Sequence, residues 1–253
     1  MTSKPEFSYP TVWTRPPRGR AGQPTLSREQ IVRAAIELLD AEGTGGLSMR
    51  KLGTRLGSGA TSVYWHVANK EELLELAVDE VFGEVYVPEP GDTGWRVGAS
   101  VLANGMRTAL LRHPWVIALL GTKPTVGPNA MRMGDRMVAL LTAAGFDGMA
   151  LAHVSSLLNA HSIGSATTQA AIVEATRHSG VPATDVIKEL EPYLESIASE
   201  HPHYEEWRRK NMMTGLDPVK LWDESFAFGL ERVLDGLELW LTTTRNPQAA
   251  DQA

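Results

Sequence analysis

Apolar residues recur three and four positions apart over most of this chain, the spacing that puts them on one face of an α-helix. The first such run opens at Leu26-Ser27-Arg28-Glu29-Gln30-Ile31. Ser27 can accept from the amide of Gln30, Gln30 can reach back, and Leu26 can pack on Ile31. Ile31, Ala34, Ala35, Leu38 and Leu39 then form one face, and Gly43 predicts its end. The same signature returns at Leu47-Ser48, with Ser48 as cap and Leu47 against Leu52, for a second helix reaching Leu56. Gly57-Ser58-Gly59 predicts a tight turn and Ala60–Val67 a third, short helix. Asn69 caps a fourth, whose inward face is Leu73, Leu74, Ala77 and Val81.

Pro88-Glu89-Pro90-Gly91-Asp92 interrupts the periodicity, and a domain boundary is expected there. Helical patterning resumes over Trp95–Leu111, and a short piece runs from His113-Pro114 to Leu120. A loop follows, then Asn129–Ala144 closed by Gly145 with Phe146 behind it. Asp147 caps a long helix to Val173. Prolines then cut the pattern, leaving pieces at Glu191–Glu200 and Tyr204–Met213, and Asp217-Pro218 opens a last helix to Thr243. No stretch alternates long enough to predict a sheet. The expected fold is all-α, with a head over residues 25–87 and a helical body over residues 92–245. Residues 1–24 carry five prolines and the basic cluster Arg15–Arg20, and read as a flexible basic arm.

Charge sharpens this division. Residues 1–70 hold ten Lys/Arg against five Asp/Glu, a net +5, which leaves −11 for the rest of a chain whose total is −6. A basic head on an acidic body suits a head that meets a polyanion. The chain has no cysteine, which excludes disulfides, thiolate metal sites and cysteine nucleophiles. No apolar run has the length of a signal peptide or a membrane span, so a cytoplasmic protein is expected.

Two short helices joined by a glycine-bearing turn inside a basic segment predict a helix-turn-helix, with the second helix of the pair in the DNA major groove. Thr61, Ser62, Tyr64, Trp65 and His66 crowd hydrogen-bonding and aromatic groups onto about two turns there, and only Val63 is plainly core. In the last helix Trp222, Phe226, Gly229, Val233, Leu237 and Trp240 make an apolar seam, with Gly229 and Gly236 seven apart beside it. That seam fits helices packed across a two-fold axis between subunits, or an internal core helix. Two other classes stay open. A helical enzyme is one, although His153 and His161 lie about 12 Å apart along their helix, and no phosphate loop, nucleophile elbow or zinc-helix motif is present. A purely architectural DNA-binding protein is the other, and it leaves the body without a purpose.

Leu47-Ser48-Met49-Arg50-Lys51-Leu52, then Leu56-Gly57, Val63-Tyr64-Trp65-His66-Val67 and Asn69-Lys70, resembles the DNA-binding domain of the tetracycline-repressor (TetR) family. The likeness is strongest to the tetracycline repressors themselves, whose recognition helix ends in a similar run. Arg107–Arg112 with Gly121-Thr122-Lys123-Pro124, Gly145-Phe146, His161–Gly164 and Phe228-Gly229-Leu230-Glu231 extend it over residues 26–243. The resemblance implies a homodimeric transcriptional regulator, most often a repressor, whose body is a ligand-binding and dimerisation domain and whose partners are an operator duplex and a small-molecule effector. It places Ser48 and Arg50 at DNA-facing positions and Ala60, Thr61 and Ser62 at the base-reading helix start, with Tyr64, Trp65, His66 and Lys70 against phosphates. Arginine reading guanine, methyls meeting thymine, and hydroxyls and lysine meeting phosphate are chemically consistent with those roles.

The effector chemistry departs from the resembled proteins. They bind tetracycline with magnesium through two histidines and an acidic residue, and those positions here hold Leu119, Ala160 and Thr168. Magnesium takes hard oxygen ligands, usually with carboxylates, so neither a metal nor any other cofactor is expected, and no catalytic residue. Met106, Trp115, Leu119, Met131, Met137 and Leu157, with Thr122, Asn159 and Thr168 as polar handles, imply a hydrophobic or aromatic effector.

Overall fold

A computed structural model describes residues 11–14, 26–182, 184–211 and 217–245. Most of the expected basic arm, and Met212 and Met213 at the end of one expected helix, lie outside the described residues. Helices dominate, and among the described residues the only β pairings are two isolated bridges, Pro90 with Thr93 and Leu120 with Lys123.

The helix starts follow from local chemistry. Helix α1 (Arg28–Gly46) carries the full capping box: Gln30 N donates to Ser27 Oγ at 3.1 Å, and Ser27 N to Gln30 Oε1 at 2.8 Å. Gly43, at φ +67, breaks the helical path, and one further turn follows before the extended Leu47. Ser48 caps α2 (Met49–Arg55) through Lys51 N, and Asn69 caps α4 (Lys70–Phe82) through Glu72 N. Between them, α3 spans only Ala60–Tyr64. It is shorter than expected because Trp65 and His66 form a tightened turn, in which both His66 N and Val67 N donate to Val63 O. Val63 and Val67, both fully buried, anchor the two ends of that turn.

Helix α5 (Trp95–Arg112) leads into a 3₁₀ segment, Pro114–Leu119. Helix α6 (Pro128–Ala144) ends as expected at Gly145, φ +100, where Gly145 N and Phe146 N donate back to Thr142 O and Leu141 O. Phe146 is thereby turned into the core, edge-on to Trp95 at 5.5 Å. Helix α7 (Gly148–Ser179) outlasts the expected Val173 by six residues. Helix α8 (Val186–Ser196) starts five residues before the expected piece and carries Pro192 inside it. The proline is accommodated there, not at a terminus. Helices α9 (Pro202–Asn211) and α10 (Pro218–Arg245) complete the chain.

By contacts the chain divides into Met1–Leu151 and Ala152–Ala253. The division falls inside α7 and not at Pro88–Asp92, because α4 packs on α6 and α1 on the 3₁₀ segment. The first unit therefore joins the head to the opening helices of the body. In the second unit, Val154, Leu158 and Ala166 of α7 are buried, as are Phe226, Leu230, Leu234, Leu237 and Leu241 of α10. His161 stacks on Phe226 with ring centroids 4.9 Å apart and donates Nε2–H to the Phe226 carbonyl at 2.9 Å. Arg208, also buried, pairs with Glu205 and Glu191, and its hydrogen bonds to those carboxylates, Glu205 foremost, raise its pKa.

Candidate nucleic-acid interface

Helices α2 and α3 pack closely across a turn that two glycines make possible. Gly57 sits at φ +63, in the left-handed region. At Gly53, inside α2, a Cβ would lie 2.9 Å from Ala60 N and 3.0 Å from Ser58 O, both backbone atoms. Sequence reasoning missed Gly53. The signal was a lone glycine in the interior of a short helix beside a turn.

The outward surface is selective in its free charge. Of the three basic side chains on α2, Lys51 is paired with Glu42, and Arg55 with Glu37 at 2.6 Å. Arg50 is exposed and its guanidinium has no partner among the described residues. Ser48 is exposed, with its oxygen committed to Lys51 N. Thr61 is exposed, Ala60 and Ser62 half-buried, and Tyr64 and Trp65 are 45% and 61% exposed, large rings standing on a surface they do not help to bury. These seven residues, Arg50 included, share the α2–α3 unit. Two candidates are placed differently. Lys70 Nζ donates to the Thr44 carbonyl at 2.6 Å, and His66 turns Nε2 into the protein without a partner among the described residues. A phosphate contact through that nitrogen requires the ring to turn. Behind the helices, the Glu29 carboxyl is held below its ordinary range by its own backbone amide and the Ser27 hydroxyl, with smaller help from Arg28 and His66.

Acidic residues wire the head to the start of the body. Asp79 of α4, almost fully buried, accepts from Asn129 N and Ala130 N and so caps α6. Glu75, one turn earlier, takes Lys123 Nζ at 2.6 Å and Val12 N at 3.0 Å. His113, 4% exposed, lies between Asp40 of α1 (Nδ1, 2.7 Å) and Glu84 after α4 (Nε2, 3.1 Å). Trp115 Nε1 donates to the same Asp40 oxygen at 2.7 Å.

Trp115, expected at the effector pocket, is buried, and that bond commits its polar edge to the head. Met106 and Met137 are buried in the first unit, whereas Met131 is 57% exposed. Leu119 and Thr122 do come together, in a cavity beside α4. In the second unit Leu157 and Thr168 are exposed, Asn159 is half-buried, and the Thr168 hydroxyl bonds the Gly164 carbonyl.

Residues 31–77 match the description "Bacterial regulatory proteins, tetR family", and residues 87–241 match "Tetracyclin repressor-like, C-terminal domain". The chain belongs to the tetracycline-repressor family. Within that family it is 41% identical over 168 residues to an HTH-type transcriptional regulator of Saccharopolyspora erythraea, covering 66% of this chain and 71% of that one. It is 32% identical over 238 residues to the HTH-type transcriptional repressor DrrR1 of Streptomyces coeruleorubidus, covering 93% and 85%. The crystal structure of the Streptomyces coelicolor TetR-family protein ActR in complex with actinorhodin superposes with a TM-score of 0.67 at 32% identity, covering 85% of this chain and 98% of that one. This TetR-family chain is therefore a helix-turn-helix transcriptional regulator, and among its described residues no helix is long and apolar enough to cross a membrane.

The α10 seam of this regulator is divided between two surfaces. Phe226 and Leu237 are buried in the protomer's own core, and Gly229 is approached by His161 of the same chain, whose Cε1 would lie 2.4 Å from an added Cβ. Phe226 and Leu237 thus pack within the protomer, and Gly229 is half-buried against His161. Trp222 and Val233 are half-buried, and Gly236 and Trp240 are exposed. Phe228 and Leu239, not singled out from the sequence, are 66% and 65% exposed on the same helix.

Proposed function

We propose that the regulator binds a pseudo-palindromic operator as a homodimer, represses transcription there, and is released by a hydrophobic or aromatic effector. The observation that carries the DNA reading is Arg50. It stands unpaired and exposed on α2, while the two other basic residues of that helix are paired with carboxylates of α1. Arginine is the best bidentate reader of guanine, and Ala60, Thr61 and Ser62 at the start of α3 supply methyl and hydroxyl contacts. Tyr64, Trp65 and Lys70 then lie where phosphates would pass, and Lys70 can keep Thr44 while offering its other N–H donors.

Homodimerisation is supported by the outward face of α10, where Leu221, Phe228, Gly236, Leu239 and Trp240 lie exposed. Contiguous apolar surface of this kind marks interaction sites. Repression follows the DrrR1 relative, and the effector class follows the apolar chemistry of Met106 and Met137, with the ActR–actinorhodin complex as precedent for a small-molecule effector. Domain limits of 25–87 for the head and 92–245 for the body go with this reading.

The test is selection of duplexes from a random pool by the purified protein, repeated with two variants. Arg50→Ala is expected to relax preference at one base pair per half-site, a loss of about 1–3 kcal/mol against the preferred base. Lys70→Ala should weaken all sequences alike and lower the salt dependence by about one phosphate contact. Selection that enriches no sequence, or an Arg50→Ala protein with unchanged preference, overturns the reading.

A further inference from the structure

A cavity of about 140 Å³ lies within the first unit, walled by α4, by the loop from Leu119 to Gly127, and by Trp13 from the N-terminal segment. That segment is positioned by contacts of its own. Val12 is buried and its N–H donates to Glu75, and Trp13 closes on Gly127, where an added Cβ would lie 2.7 Å from the indole. The floor is apolar, built from Leu74, Val78 and Leu120. A cavity of roughly 150 Å³ lined by such groups accommodates one benzene-sized ring.

Three carboxylates border it, and two are already engaged. Glu75 holds Lys123 Nζ and an amide, and Asp79 holds the two amides at the start of α6. Glu71 is exposed at the mouth and has no partner among the described residues. An indole face, an apolar floor one ring deep and an uncompensated carboxylate at the opening together complement a compact cation with an apolar body.

We propose that this cavity is a second small-molecule site, taking a single-ring organic amine in its protonated form, with the ring against Trp13 and the ammonium at Glu71. Leu119 and Thr122, effector candidates from the sequence, line it as well, so it shares that wall with the effector reading and differs from it in the chemical class its charge selects.

The experiment titrates the full-length protein, without DNA, with 2-phenylethylamine and with 2-phenylethanol, which has the same skeleton without the charge, by calorimetry and ligand-observed NMR. The amine should bind saturably and about three- to fivefold more tightly than the alcohol, the gain of one exposed charge contact. Glu71→Gln, at an exposed position, should remove that advantage and leave the alcohol unchanged, and Trp13→Ala should weaken both ligands. Equal binding of amine and alcohol, an amine indifferent to Glu71→Gln, or no saturable binding of either overturns the proposal. Because no arm contains DNA, such a failure leaves the operator reading intact, and a failed DNA selection leaves this one intact.

Discussion

Two side chains, or the lack of one, decide more than their size implies. At Gly53 any Cβ meets the backbone of Ser58 and Ala60, which cannot yield without moving α3. Gly53→Ala is expected to cost about 1–3 kcal/mol, the usual penalty for forcing volume into a packed crossing. The measurement is thermal unfolding together with operator affinity, both of which should fall. His113 presents a different case: both its ring nitrogens face carboxylates, Asp40 on one side and Glu84 on the other, in a nearly buried setting. His113→Ala removes the ring from between them and should lower urea stability by about 1–3 kcal/mol. An unchanged midpoint would mean that solvent already satisfies those carboxylates. The features legible at this scale were local. Ser27 with Gln30, Ser48 with Lys51, and Gly145 with Phe146 act within five residues, and each was readable from the chain. Asp40 and Trp115 meet across 75 positions, and no spacing rule reaches that far.

Among the elements, α4 links the head to the 119–127 loop and to α6. Its carboxylates at positions 75 and 79 lie on one face, one turn apart, and hold that loop and the start of that helix. Asp79 is the N-terminal cap that α6 does not supply from its own Gly127. Asp79→Ala should therefore cost about 1–2 kcal/mol, with faster hydrogen exchange at the Asn129 and Ala130 amides as its specific signature. A stability loss without faster exchange there would assign the effect to something other than the cap. Periodicity predicted these helices well and their faces less well. In α10 it identified an apolar helix, but Phe226 and Phe228 are equally apolar, and only packing against His161 shows which one turns inward. In α3 the aromatic run Tyr64-Trp65-His66 continued the pattern on paper, while the backbone had already tightened after Tyr64.

At the scale of the whole molecule, the proposed operator binding needs two heads held at a fixed separation. The exposed α10 surface offers a second copy Phe228 and Leu239, each about two-thirds exposed. Phe228→Glu should leave the monomer folded, since that side chain packs on little besides Arg232. It should shift the mass in light scattering from dimer to monomer and, with it, abolish tight operator binding. A variant that stays dimeric would move the interface elsewhere on the chain. The central claim is that paired α3 helices enter the major groove, and the most direct measurement is a hydroxyl-radical footprint on a selected duplex. Two protected half-sites with centres about 10–10.5 base pairs, or a multiple of that, apart on one face of the DNA are predicted. A single protected patch, or protection spread evenly along the duplex, would contradict it.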